Sequence, residues 1–230
     1  MPILVIAAVV PALLFFYIVY RADRHKERPR FIIPLFIVGA VIVFPAGLIE
    51  KYLLDFYSVT INPPAGLLAI LLVAFFVAGI TEETLKAVLF QKLVYRTRHF
   101  NEPYDGIVYA VAIGLGFAMV ENIMYVTSNG LSTAFVRAFT AVPAHTLFGI
   151  VMGSLFSESL FLKRPLYRAY IIPALLHGTY DAFALAQGYI ANVLLIVYLM
   201  WLVRFAFLRA QNLRDQENPQ RKSTQGLSAV

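Results

Sequence analysis

Seven runs of nearly unbroken apolar residues divide this chain, at about 3–20, 31–54, 65–90, 106–127, 133–161, 169–187 and 190–208. A helix needs about 20 such residues to cross the hydrocarbon of a bilayer. Backbone polar groups in lipid must be satisfied within the segment, so runs of this length are read as helices. The expectation is an all-α polytopic helix bundle in one integral membrane domain over 1–210, with a polar, disordered cytoplasmic tail over 211–230. The first run lacks a charged start and a small-residue cleavage site, so it reads as a retained helix rather than a signal peptide.

Charge patterning orients the bundle. Lys and Arg favour cytoplasmic loops. Arg21, Arg24, Lys26, Arg28 and Arg30 follow the first run; Lys92, Arg96 and Arg98 follow the third. Lys163, Arg164 and Arg168 follow the fifth, and Arg204, Arg209, Arg214, Arg221 and Lys222 close the chain. Sixteen of the 19 basic residues therefore fall on alternate ends, which predicts an outer N-terminus and a cytoplasmic C-terminus. The remaining three are Lys51, Lys86 and Arg137; Lys51 and Arg137 lie near helix ends, where long side chains snorkel to the interface. With 60% hydrophobic and 14% charged residues, the chain is no nucleic-acid module, and the net charge of +6 belongs to the loops. Cysteine is absent, which excludes disulfides, thiolate ligands and a cysteine nucleophile.

Ionisable groups inside a membrane are costly and mark function by default. Four consecutive runs carry them: Glu82, Glu83 and Lys86 in the third, Glu121 with Asn122 in the fourth, His145 in the fifth, His177 and Asp181 in the sixth. At 1.5 Å per residue, Glu82 lies about 18 Å from its inner helix end, Glu121 about 21 Å and His177 about 14 Å. His145 lies about 20 Å from its outer end on the same rise. All fall in the middle third of a core about 30 Å thick, so one buried polar cluster is expected. Spacing agrees, because His177 and Asp181 are i,i+4, and Lys86 is i+4 from Glu82 and i+3 from Glu83, close enough to offset repulsion between the adjacent acids. Ala141, His145, Gly149 and Gly153 form a small-residue stripe of the kind that lets helices approach closely. Pro143 and Pro173 each lie within a turn of a histidine and interrupt local helix bonding.

Two imidazoles with several carboxylates suit a Zn²⁺ site with an open position for water, for which Glu83, Glu121, His145, His177 and Asp181 are candidate ligands. A buried carboxylate equally suits a metal-free general base acting on water. Both point to hydrolysis within the bilayer. H-E-x-x-H is absent, no serine has a companion base, and Asp105 of Tyr104-Asp105 lies at the interface, far from Asp181.

Taken together, Glu82-Glu83-x-x-Lys86, Asp105-Gly106-Ile-Val-Tyr109, Gly114-x-Gly116-Phe117-Ala118-x-x-Glu121-Asn122, His145 with Gly149, and His177-Gly178-x-x-Asp181 resemble the PrsW intramembrane proteases. These are relatives of the CAAX-processing and bacteriocin-processing enzymes, and the resemblance covers about 80–185. It implies glutamate-dependent cleavage of membrane-anchored peptides or proteins, with single-span anti-sigma factors as a substrate class. Glu82 and Glu83 then match the water-activating base and its partner, His145 and His177 the motif histidines, and Lys86, Glu121, Asn122 and Asp181 supporting positions. The wider superfamily carries Arg four residues after the second glutamate, where this chain has Ala87; Lys86 fits the PrsW version. The implied setting is a prokaryotic plasma membrane. The competing reading is a proton- or cation-coupled transporter using the acid and histidine chain as a relay. A transporter of that kind would show internal repeats, and none is visible. A retinal-type receptor would need a lysine in the last run, which has none. A scaffold with polar helix contacts would lose stability, not cleavage, on loss of Glu82 or His177.

Overall fold

The computed structural model describes residues 2–58, 66–186 and 188–217. Within them the chain is helical: α1 (Pro2–Ala22), α2 (Pro29–Val41), α3 (Val43–Phe56), α4 (Leu67–Leu71), a π-helical segment (Leu72–Gly79), α5 (Ile80–Leu93), α6 (Asp105–Asn129), α7 (Leu131–Phe139), α8 (Ala141–Leu162), α9 (Arg168–Ala186) and α10 (Tyr189–Gln216). Six stretches are long and apolar enough to cross a membrane: α1, α2 with α3, α4 through α5, α6, α7 with α8, and α10. The seventh expected span is α9, at 19 residues. His177, Asp181 and Pro173 dilute its apolar character.

Three expected spans are interrupted. The second turns at Ile42, between α2 and α3. Pro45 explains the position, because its ring clashes with the carbonyl four residues back, at Val41. The fifth breaks at Thr140, between α7 and α8. Pro143 would likewise collide with the carbonyl of Phe139, whereas in the first turn of α8 its missing N–H costs little. The third changes from α to π winding over Leu72–Gly79. At its end Gly79 meets α9 so closely that an added Cβ would lie 2.7 Å from the carbonyl oxygen of Ala174. The last helix runs on to Gln216, which corrects the reading of a disordered tail from 211: polarity there marks a helix leaving the apolar zone. Residues 218–230 lie outside the described residues.

At the centre stand α6 and α8, buried along most of their length, while α1, α3 and α10 turn exposed leucine, isoleucine, valine and phenylalanine outward. In a bilayer that outer surface meets lipid rather than water. Glycine sets the central packing distance. An added Cβ on Gly153 of α8 would lie 2.1 Å from the carbonyl oxygen of Gly106 on α6, and one on Gly149 would lie 3.0 Å from Val111 Cα. The small stripe on α8 therefore does what its spacing predicts. On the opposite side, Cβ atoms on Gly39 and Gly116 would lie 2.1 Å and 2.0 Å from the carbonyls of Ile113 and Phe36. Thus α6 touches both α2 and α8 backbone to backbone. At the start of α6, Asp105 Oδ2 accepts the N–H groups of Asn101 and Glu102, at 3.1 Å and 2.8 Å. That is a structural role for the Tyr104-Asp105 pair.

Candidate active site

Four helices deliver the expected residues, Asn122 excepted, to one place. Helix α5 begins immediately after the π segment and presents Glu82, Glu83 and Lys86, all buried. The i,i+3 and i,i+4 spacing brings Lys86 Nζ to 2.7 Å from Glu83 Oε1 and 3.0 Å from Glu82 Oε2. Nζ also lies 3.3 Å from His145 Nδ1 of α8 and 4.0 Å from the ring centre of Phe117 on α6. The ammonium thus sits among four groups able to bind a cation. Since lysine can only donate, His145 Nδ1 accepts and Nε2 carries the ring proton, which it donates to Glu121 Oε2 at 3.0 Å.

His177 of α9 differs in meeting carboxylates at both ring nitrogens. Its Nδ1 lies 3.0 Å from Glu83 Oε1 and 3.9 Å from Glu82 Oε2, and its Nε2 lies 3.3 Å from Asp181 Oδ2 one turn on. The two imidazoles are nearly perpendicular, with centres 5.1 Å apart, and Phe148 stacks on His177 at 5.0 Å. Each histidine therefore has a carboxylate behind it, Glu121 for His145 and Asp181 for His177, which fixes ring orientation.

One ligand atom each from Glu82, Glu83, His145 and His177 can be chosen so that all four lie within 4.8 Å of one another. That span is about twice a Zn–ligand bond of ~2.0–2.2 Å with slight slack. The donor set fits a divalent metal ion, with two imidazoles and two carboxylates on three helices. Glu121 and Asp181, candidate ligands on sequence grounds, instead contact the far nitrogens of the histidines.

A cavity of about 580 Å³ opens beside this cluster, between α3, the π segment, α6 and α9. Glu82, Glu121, His145, His177 and Asp181 reach its wall, with Val43, Ala46, Val73, Val77, Phe117 and Tyr180 as apolar lining. Glu83 does not reach the wall and is 1% exposed. Asn122 turns the other way: Nδ2 donates to the carbonyl of Ala8 on α1 at 2.9 Å, and Oδ1 accepts from Arg137 Nε at 2.9 Å. It ties α1 to α7 and stands off the cavity.

Two wall residues were not legible as site residues. Arg137 of α7, expected to snorkel, is largely buried and pairs with Glu121 Oε2 at 3.1 Å through Nη2. The angle leaves that buried nitrogen without a hydrogen bond. Its guanidinium also lies 4.1 Å from the ring centre of Tyr125. Glu50 of α3 lines the cavity with a buried Oε1 that no group bonds. Its position beside Lys51, at the end of an apolar run, gave it the look of an ordinary interfacial charge.

Comparison with known proteins agrees with this geometry. The family model described as "PrsW family intramembrane metalloprotease" matches residues 27–208. The proteins named Protease PrsW from Geobacillus kaustophilus, Oceanobacillus iheyensis and Bacillus subtilis are among its relatives. The first is 34% identical over 206 residues, covering 86% of this chain and 88% of the relative. The second is 33% identical over 213 residues (90% and 94%), and the third 32% over 217 residues (91% and 94%). No solved structure matches.

Proposed function

Because this chain belongs to the PrsW family of intramembrane metalloproteases, we propose that the cavity is where a peptide bond of a membrane-anchored substrate is hydrolysed, with Glu82 as the base that activates water. The observation carrying this reading is the unequal placement of the two glutamates. Glu82 reaches the cavity wall beside both histidines, whereas Glu83 lies behind it, held by Lys86 and His177. A base must touch the water it deprotonates. Glu83 cannot do so without moving, so its role is to hold Lys86 and His177 in place.

The chemistry then runs on this chain's own groups. Water at the wall gives a proton to Glu82 as its oxygen attacks the substrate carbonyl; the same carboxyl later returns that proton to the leaving amine as the C–N bond breaks. Negative charge develops on the carbonyl oxygen. Arg137 offers it a buried guanidinium nitrogen lacking a hydrogen-bond acceptor, and such donors lower the barrier most when water is excluded. His145 and His177, each fixed by a carboxylate, set the position of the attacking water. A divalent metal, when bound, would be held by Glu83, His145 and His177, leaving Glu82 as the base, and would supply Lewis acidity.

The apolar remainder of the wall suits a helical segment arriving from lipid, and the family resemblance implies a single-span membrane protein or peptide of the anti-sigma-factor type as substrate class. The loop charges support an outer N-terminus and a cytoplasmic C-terminus. Glu82→Gln keeps size and hydrogen bonding while removing the base. In proteoliposomes with a single-span substrate it should leave the protein folded and reduce cleavage at least 10³-fold, roughly the upper range for removing a general base. His177→Ala should also be inactive. Wild-type cleavage by Glu82→Gln would exclude this mechanism, and proton movement lost in the same variant would favour a transporter.

A further inference from the structure

A second group of cation-binding side chains lies well outside the cavity, at the end of the bundle where α1 and α10 finish and α6 begins. His25 follows α1, Glu102 lies in the loop between α5 and α6, and Glu217 caps α10. One ligand atom from each falls within 4.8 Å of the others, and His25 Nδ1 is 2.7 Å from Glu102 Oε2.

What separates this from an ordinary acidic surface is a pair of stranded oxygens. Asp23 is 3% exposed; its Oδ1 accepts the N–H of His25 at 3.0 Å, but its Oδ2 is buried without any partner. Glu217 is similar: Oε1 accepts the N–H of Tyr104 at 2.6 Å, while Oε2 is buried and unbonded. Asp23 stands near enough to Glu102 and Glu217 for each to repel it. Burial and this repulsion raise the carboxyls of Asp23 and Glu217 above their ordinary range. Among the described residues, none of Asp23, Glu102 and Glu217 forms an ion pair with lysine or arginine. Lys26, Arg28, Arg30 and Arg98 line a separate hollow, and Arg214, near Tyr104, has a buried Nε without a hydrogen-bond partner. Buried carboxylates left unpaired are expensive, and buried charges are normally paired or bound to metal.

We propose that His25, Glu102 and Glu217 form a second divalent-cation site distinct from the catalytic cluster, with the buried carboxylate of Asp23 beside it. One imidazole among carboxylates suits Mn²⁺ or Zn²⁺. A shared ion would join three segments remote in sequence: the end of α1, the loop leading from α5 into α6, and the end of α10. Because α5 and α6 carry Glu82 and Glu121, the ion would brace the connection between two walls of the cavity.

The test is Mn²⁺ binding to the full chain in detergent, without a histidine tag, read as loss of the free-ion electron paramagnetic resonance signal. His177→Ala serves as a background that disables the catalytic cluster, and wild type is measured beside it. In both, His25→Ala and Glu102→Gln should each weaken one Mn²⁺ equivalent at least tenfold, and Lys51→Met should not. The His25 and Glu102 side chains are 60% and 33% exposed, so these variants should keep their helical circular dichroism. Isotherms unchanged by His25→Ala and Glu102→Gln would overturn the proposal. So would a His177→Ala chain that binds neither Mn²⁺ nor Zn²⁺.

Discussion

Lys86 offers the most direct test of how the buried cluster is held together. Its ammonium makes two contacts with carboxylates, at 2.7 Å and 3.0 Å, with all three side chains at or below 7% exposure. At an effective dielectric of about 20, each contact is worth a gross ~6 kcal/mol. Most of that repays the cost of taking three charges out of water. Lys86→Met removes the cation but leaves Glu82 and Glu83 side by side in an apolar bundle. Truncating one partner of a buried pair costs about 3–5 kcal/mol. For a chain of this size each kcal/mol lowers Tm by about 2–4 °C, so the variant should melt roughly 6–20 °C below wild type. Thermal unfolding in detergent, followed by circular dichroism, measures it. Two rescues follow from the same electrostatics. Adding Glu83→Gln to Lys86→Met should restore at least half of the loss, because the coupling between contacting residues is then removed from both sides. A divalent ion at 100 times its Kd should restore about 2.7 kcal/mol, since the ligands stay in reach and the ion supplies the lost positive charge. A Lys86→Met protein melting within 2 °C of wild type would refute the argument, as would a double variant less stable than the single one.

Other expectations are simpler. Gly153→Ala places a Cβ 2.1 Å from a backbone oxygen and should destabilise by about 1–3 kcal/mol; Gly47→Ala, with nothing within 4 Å, should be near neutral in the same melt. Asp23 and Glu217 have carboxyls raised by burial, so their protonated forms favour the fold. That contribution is complete below the unfolded carboxylate pKa and is lost as pH rises through the raised folded values. With chelator present, Asp23→Asn should therefore raise Tm at pH 7.5 and flatten its decline above pH 4. A reporter fused after Ser58 should lie outside and one after Arg98 inside; the reverse at both would overturn the orientation but leave the chemistry standing.

Much of this molecule is written in its sequence at the level of periodicity. The apolar runs locate the helices, and the depth of Glu82, Glu121, His145 and His177 within them is enough to expect one cluster, because helix rise is constant. Rotation is harder. Glu121 and Asn122 are neighbours about 100° apart on one helix, so at most one can face the cavity, and only packing decides that Asn122 turns to Ala8. Arg137 looks interfacial, but after the break at Thr140 α7 packs against α1, α6 and α8 and its guanidinium meets Glu121. Pro143 marks that break and Pro45 the turn at Ile42, although the runs 31–54 and 133–161 read as unbroken spans. The π winding before α5 has no comparable sequence marker.

The backbone-to-backbone contacts made by glycine also divide the molecule mechanically. Gly39, Gly116 and Gly153 rivet α2, α6 and α8 into one unit with no slack for sliding. Gly79 and Gly178 do the same for the π segment and α9, where a Cβ on Gly178 would strike the ring of Phe75 at 2.4 Å. The remaining wall of the cavity is α3, whose Gly47 has open space around it and whose buried apolar residues are only Val43 and Ala46. A substrate helix too wide for the resting cavity would have to displace that wall, turning about Ile42. Bracing α3 with a cross-link to α9 should then act as a lock on entry while leaving every catalytic group in place.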